Sequence, residues 1–193
     1  MKICVFGAAS DEINKNYIEK TEELGREMAA RGHELVFGAG ANGLMGAVAR
    51  GVYEEKGKIY GIIPKFFKTE EIEAIFDKCD ELIYTVDMAE RKATMEDLAD
   101  AFVVVPGGMG TMEEFFQVLT SKQLARHRKP IVIYDMNNYY RHIEDFLEYA
   151  MEESFIRENC KELYCYTDNM EKVFEYLTND EQKAFDVHDL KIG

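Results

Sequence analysis

Short apolar runs rich in β-branched residues alternate along this chain with longer stretches in which apolar positions recur every three or four residues. The short runs fall at Lys2–Phe6, Glu34–Phe37, Ile59–Ile63, Glu81–Thr85, Ala101–Val105 and Pro130–Tyr134, with a weaker one near Leu163–Tyr166. They read as strands. Between them, NYIEKTEELGREMAAR sets Tyr17, Thr21, Leu24, Met28 and Ala29 on one face, with acids and bases opposite, as an amphipathic helix requires. LMGAVARGVYEEK, ERKATMEDLA, TMEEFFQVLTSKQLARH and NYYRHIEDFLEYAMEE continue the helical series. Several strands are apolar with little alternation, as expected where helices cover both faces of a parallel sheet. The expected fold class is α/β, a doubly wound (Rossmann-like) mostly parallel sheet with helices on both faces.

Length and composition narrow this further. A chain of 193 residues with 47% hydrophobic content builds one sizeable core and is short for two. A single domain is expected over residues 1–178. Residues 179–193 are expected to form a loosely docked tail, because periodicity is lost in DEQKAFDVHDLKIG. No window approaches the apolar length that crosses a bilayer. MKICVFGAAS reads as a first strand rather than a signal peptide, so a soluble, cytoplasmic protein is expected. Cys4, Cys79, Cys160 and Cys165 lie far apart without a CxxC pair, and the histidines at 33, 127, 142 and 188 are scattered. Neither set fits a metal template, and the cysteines read as small buried hydrophobes. The formal net charge of −14 disfavours nucleic-acid polymers and anionic membranes as partners. It leaves room for a small phosphorylated ligand, because a few amides and one arginine make a local anion site.

In a doubly wound fold, ligands bind outside the carboxyl ends of the strands, so the loops after the strands carry the search for function. The loop after the first strand, GAASDE, offers a tight turn and the Ser10 hydroxyl for a phosphate or ribose oxygen, or for ordinary capping. The next loop places Gly38, Gly40 and Gly43 at GxGxxG spacing before a helix. No acid stands at the end of the following strand to take a ribose, so the loop suits either close packing or an anion rather than a dinucleotide. After the fourth strand, Arg91 and Lys92 lie early in a helix beside Met88, where basic residues are slightly disfavoured by the helix dipole.

The stretch VVVPGGMGTMEE is the most informative. Pro106 ends a strand, and Gly107 and Gly108 permit a turn whose amides converge. Gly110 and Thr111 then begin a helix whose dipole attracts an anion. Thr111 can cap that helix or bond a phosphate oxygen. Glu113 and Glu114 are expected in the first turn, where one acid suits capping. A second acid beside an anion site points to a substrate with a phosphate at one end and a developing positive charge nearby, such as a sugar phosphate losing its anomeric substituent.

Taken together these segments resemble the "lonely guy" (LOG) family, the cytokinin riboside 5′-monophosphate phosphoribohydrolases long mislabelled as lysine decarboxylases. The family's PGGxGTxxE pattern stands at Pro106–Glu114, its arginine-lysine pair at Arg91 and Lys92 after Met88, and its GLMG at Gly43–Gly46. YYRHI resembles the family's GYY segment, and Gln123, Leu124, His127, Lys129 and Pro130 match its QL-x-x-H-x-KP run. Departures are GAAS in the first loop, GAGANG in the second, and the missing tryptophan before the QL segment. They bear on base preference.

The resemblance implies hydrolysis of the N-glycosidic bond of a nucleoside 5′-monophosphate, AMP or an N6-substituted relative, with no metal or organic cofactor, in a homodimer. It also implies roles. Gly107, Gly108, Gly110 and Thr111, with Ser10 and Gly43, hold substrate. Glu114 stabilises the oxocarbenium-like centre, Glu113 shares that task or caps, Arg91 meets the departing negative charge, Lys92 supports an acid, and Met88 packs against the base. A non-catalytic nucleotide or molybdenum-cofactor carrier of the same fold is the alternative.

Overall fold

The structure is a computed structural model that describes residues 1–70, 72–179 and Leu190. Strands β1 (Lys2–Phe6), β2 (Glu34–Phe37), β3 (Ile59–Pro64), β4 (Glu81–Thr85), β5 (Ala101–Val104), β6 (Ile131–Tyr134) and β7 (Cys165–Thr167) form one parallel sheet in the order β4-β3-β2-β1-β5-β6-β7. The helices are α1 (Lys15–Ala30), α2 (Gly43–Glu54), α3 (Lys65–Thr69), α4 (Met88–Leu98), α5 (Met109–Gln123), α6 (Arg141–Glu152) and α7 (Met170–Thr178).

Alternate residues of each strand serve opposite cores, which explains why the strands are apolar almost throughout. Ile3 and Val5 join one buried cluster with Leu24, Met28, Leu44, Val48, Val173 and Phe174 of α1, α2 and α7. Cys4 and Phe6 join a second cluster with Met95, Phe115, Val118 and Leu147 of α4, α5 and α6. The sheet grows from β1 outward to β4, and the chain then returns to place β5 on the other side of β1. The strand order therefore reverses between β1 and β5, and the loops leaving those two strands diverge to opposite faces and open a crevice.

The α/β expectation and its six principal strands agree with this architecture. Strand β7 lies slightly later than the expected Leu163–Tyr166 run, after a 3-10 segment at Glu158–Leu163. Helices α3 and α7 complete the set. For α7 the pattern was present, since Asn169 caps it and Val173, Phe174 and Leu177 are buried at helical spacing. Most of the expected tail lies outside the described residues. Leu190 is buried, and its carbonyl accepts hydrogen bonds from Gln123 Nε2 at 3.0 Å and Cys160 Sγ at 3.5 Å. Among the described residues, no helix is long and apolar enough to cross a membrane.

Candidate active site

A cleft of about 380 Å³ opens over the carboxyl ends of the central strands. Its first wall combines Gly7–Ser10 after β1 with the start of α5. The two segments are joined by the Ala8 amide, which donates to the Pro106 carbonyl at 3.1 Å. Gly108 stands at the N-cap of α5 and offers no side-chain cap. The first helical bond runs from the Met112 amide to the Gly108 carbonyl at 3.0 Å. The amides of residues 109–111 therefore lack acceptors within the helix, and the helix dipole adds partial positive charge at that end.

The helix begins at Met109, one residue before the expected start, and no acid lies in its first turn. Glu113 and Glu114 fall in the second turn instead. Capping, the ordinary reason for acids behind a glycine turn, therefore does not account for either of them. Their directions also differ. Glu113 is exposed and pairs with Lys92 Nζ at 2.5 Å. Glu114 is sequestered in the cleft wall, where burial, with Glu113 adding repulsion and Arg91 opposing it, pushes its carboxyl up to about 7.

The glycine-rich loop after β2 is a packing element. Gly43 has φ +57, a conformation that suits glycine, and its amide donates to Asp11 Oδ1 at 2.7 Å. The next amides, of Leu44 and Met45, both donate to the Ala8 carbonyl, at 2.8 and 3.2 Å. The first loop thus occupies the N-terminus of α2, and of the two readings for this loop, close packing is the one seen.

Arg91 reaches into the cleft from the second turn of α4. That helix is fixed by a reciprocal cap: the Glu90 amide donates to Asp87 Oδ1 at 2.8 Å, and the Val86 amide donates to Glu90 Oε2. The guanidinium donates through Nε to the Ile62 carbonyl at 3.2 Å and through Nη2 to the Gly38 carbonyl at 3.0 Å. A Cβ at position 38 would lie on the guanidinium, so Gly38 is the space through which the arginine passes. Phe67 lies under the arginine at 5.6 Å, and Met88 Sδ is 3.9 Å from Nη1.

Of the residues singled out in the sequence, Ser10, Met88, Arg91, Gly108, Gly110, Thr111, Glu113 and Glu114 line the cleft. Gly43, Gly107 and Lys92 stand behind it. Gly107 is packed against Thr111, and its carbonyl accepts the Tyr139 hydroxyl at 2.9 Å. Sequence reasoning passed over Phe67 and Glu73. Neither belongs to a motif, and both reach the cleft through the segment between β3 and β4.

The other matched segments brace the site. The buried Tyr140 hydroxyl donates to the Val105 carbonyl at 2.9 Å, directly before the glycine turn. Asp135 accepts the Tyr140 amide at 2.8 Å and the Tyr166 hydroxyl. His127 Nε2 meets the Val118 carbonyl at 2.9 Å, and Lys129 Nζ donates to the Glu96 carbonyl at 2.6 Å. Substituting Tyr140→Phe orphans a buried carbonyl and is expected to cost about 1–2 kcal/mol, read as a lower midpoint in urea with an unchanged slope.

The site thus places an uncapped helix start and a desolvated carboxyl in one crevice of an α/β domain, an arrangement that suits an anionic small molecule. Comparison with known proteins narrows that reading. The family model described as "Possible lysine decarboxylase" matches residues 45–177. The probable cytokinin riboside 5′-monophosphate phosphoribohydrolase LOGL3 of Oryza sativa subsp. japonica is 35% identical over 187 residues, 95% of this chain and 88% of that protein. The cytokinin riboside 5′-monophosphate phosphoribohydrolase LOG7 of Arabidopsis thaliana is 36% identical over 92% of this chain and 86% of its own. Among solved structures, the molybdenum cofactor carrier protein of Chlamydomonas reinhardtii superposes with a TM-score of 0.68 at 21% identity, over 92% of this chain and 98% of that one, a likeness of fold. The chain belongs to the LOG family.

The decarboxylase description implies pyridoxal phosphate, which needs a free lysine in the cleft. No lysine is among the lining residues described. Lys92 is ion-paired with Glu113, and Lys122 is buried on the core face of α5. The residues present do not fit that cofactor.

Proposed function

We propose that this chain hydrolyses the N-glycosidic bond of a nucleoside 5′-monophosphate, AMP or an N6-substituted AMP of cytokinin type, to free base and ribose 5-phosphate. The observation that carries the reading is the desolvated Glu114, one helical turn behind the uncapped start of α5, in one cleft. The names of the relatives support the same substrate class.

The amides at the start of α5, with Thr111 and Ser10, take the 5′-phosphate and so fix the ribose beside Glu114. As the C1′–N bond breaks, its electron pair leaves with the base and positive charge develops on the ribose. The Glu114 carboxylate stabilises that charge, orients the water whose oxygen forms the new bond to C1′ and takes up the proton that water loses, while the departing base is protonated from solvent. Arg91, held by two backbone carbonyls, faces the departing base and offsets its negative charge. Lys92 holds Glu113 aside, which leaves Glu114 as the acting acid. Met88 packs against the base. Met109, 91% exposed between two cleft-lining glycines, together with the exposed Val86 and Met88, favours a homodimer whose interface borders the cleft; sedimentation as a monomer at assay concentration removes that part.

The test is direct. AMP is expected to yield adenine, and adenosine, which lacks the phosphate handle, to react at least about a hundredfold more slowly in kcat/KM. No base from any nucleoside monophosphate would sink the proposal, and nucleotide retained without turnover would favour a carrier.

A further inference from the structure

The proposed chemistry leaves Glu73 unused. It lies between α3 and β4, lines the cleft, and makes no hydrogen bond or ion pair among the described residues. Its segment is nonetheless fixed. The Ala41 amide donates to the Ala74 carbonyl at 2.8 Å, the Phe76 amide donates to the Ala39 carbonyl at 2.8 Å, and Gly40 and Ile75 form an antiparallel bridge. A Cβ at Gly40 would lie on Glu73 Oε1, so the glycine leaves the carboxylate the space it occupies. Burial raises its affinity for a proton and Arg91 lowers it, as for an acid held inside the cleft near the arginine.

The sheet order gives this carboxylate its place relative to a substrate. The phosphate cradle rises from the ends of β1 and β5, whereas Glu73 is fastened to the loop after β2 and lies beyond β3 in the chain. Neighbouring strands are ~4.8 Å apart, and β2 lies one strand from β1 and two from β5, so the two poles are separated by roughly one to two strand spacings, about 5–10 Å. A nucleoside monophosphate anchored by its phosphate at one pole, with its ribose at Glu114, extends its base toward the other, where Phe67, Met88 and Arg91 also stand.

We propose that Glu73 selects the base, accepting a hydrogen bond from an exocyclic amino group and so favouring amino-bearing bases over those that present no donor there. The inference rests on the proposed nucleotide chemistry. An amine carrying one alkyl group keeps one N–H and remains acceptable. A base without the amine leaves the carboxylate desolvated and unpaired, which is the arrangement that discriminates strongly.

The test compares AMP with purine riboside 5′-monophosphate, which lacks only the amino group, by kcat/KM and by equilibrium binding. Wild type is expected to prefer AMP by about tenfold or more, and Glu73→Ala to reduce that preference to within about threefold. Gly40→Ala, which displaces the carboxylate and keeps it in the chain, is expected to move the ratio the same way. A wild type indifferent to the amino group overturns the inference. So do variants that weaken both nucleotides equally, since Glu73 would then only balance the charge of Arg91. The binding ratio reads the role of Glu73 even if no base is released, so a failure of turnover counts against the hydrolase and an unchanged ratio against Glu73.

Discussion

Replacing Glu114 by Gln is expected to lower kcat/KM for AMP by about a hundredfold or more while making the protein more stable at pH 8. Both effects come from the same burial. In the proposed mechanism the acting form is the carboxylate, and its pKa is raised from 4.5 to about 7. Wild-type kcat/KM should therefore rise about tenfold per unit as pH approaches 7 from below, and level off above it. Stability runs the opposite way. A carboxyl whose folded pKa exceeds its unfolded value binds its proton more tightly when folded. Its favourable contribution is complete below about pH 4.5 and is lost as pH rises through 7. At pH 8 the folded wild type carries a desolvated charge that costs about 3 kcal/mol, relieved in Glu114→Gln. Paired measurements of adenine release and of the denaturant midpoint from pH 5 to 8 check both halves. A variant that keeps its activity removes the assigned role, and one that gains no stability removes the desolvation argument.

The second large effect concerns Lys122, far down the same helix. It sits on the stripe Thr111, Phe115, Val118, Lys122 that α5 turns toward the core, is 3% exposed, and its Nζ is buried without a hydrogen-bond partner among the described residues. Desolvation pushes its pKa from 10.5 down to about 8. The folded state holds this proton less tightly than the unfolded chain, so the cost is full below about pH 8 and fades as pH rises toward 10.5. Lys122→Met keeps the length and removes the charge. A gain of about 2–3 kcal/mol at pH 7 is expected, or about 5–10 °C in Tm for a domain of this size. The difference from wild type should shrink steadily between pH 8 and 10. A constant difference across that range would mean that the amine is solvated.

These two residues mark where sequence reading succeeded and where it stopped. The alternation of strands and helices was legible because apolar period and β-branched runs are local signals, and α5 with its glycine turn followed from them. The position of the acids within the helix was not. A one-residue shift in the helix start moved Glu113 and Glu114 from the first turn to the second and removed their capping explanation. Lys122 was not singled out in the sequence, since a lysine on an apolar stripe has no motif of its own, yet it shares its helix face with Phe115 and Val118. Arg91 stood out by its pairing with Lys92, but the reason for Gly38, which clears its path, lies 53 residues away in the chain. Glu73 left no local trace, since only pairing between the segments around residues 40 and 75 brings it to the cleft.

The first loop has a kinetic consequence. Its Ala8 carbonyl is held by two amides of α2, its Asp11 carboxylate by a third, and its Ala8 amide by Pro106. A segment tied at so many points is already ordered before a ligand arrives, so capture at this end entails little loss of chain entropy. On the proposed function, association is therefore expected to follow a single encounter step, and a slow second phase in stopped-flow binding of AMP would show that this loop does move. The rate of arrival is governed instead by long-range charge: a protein of net charge −14 repels a dianionic nucleotide, and added salt, by screening that repulsion, should speed binding.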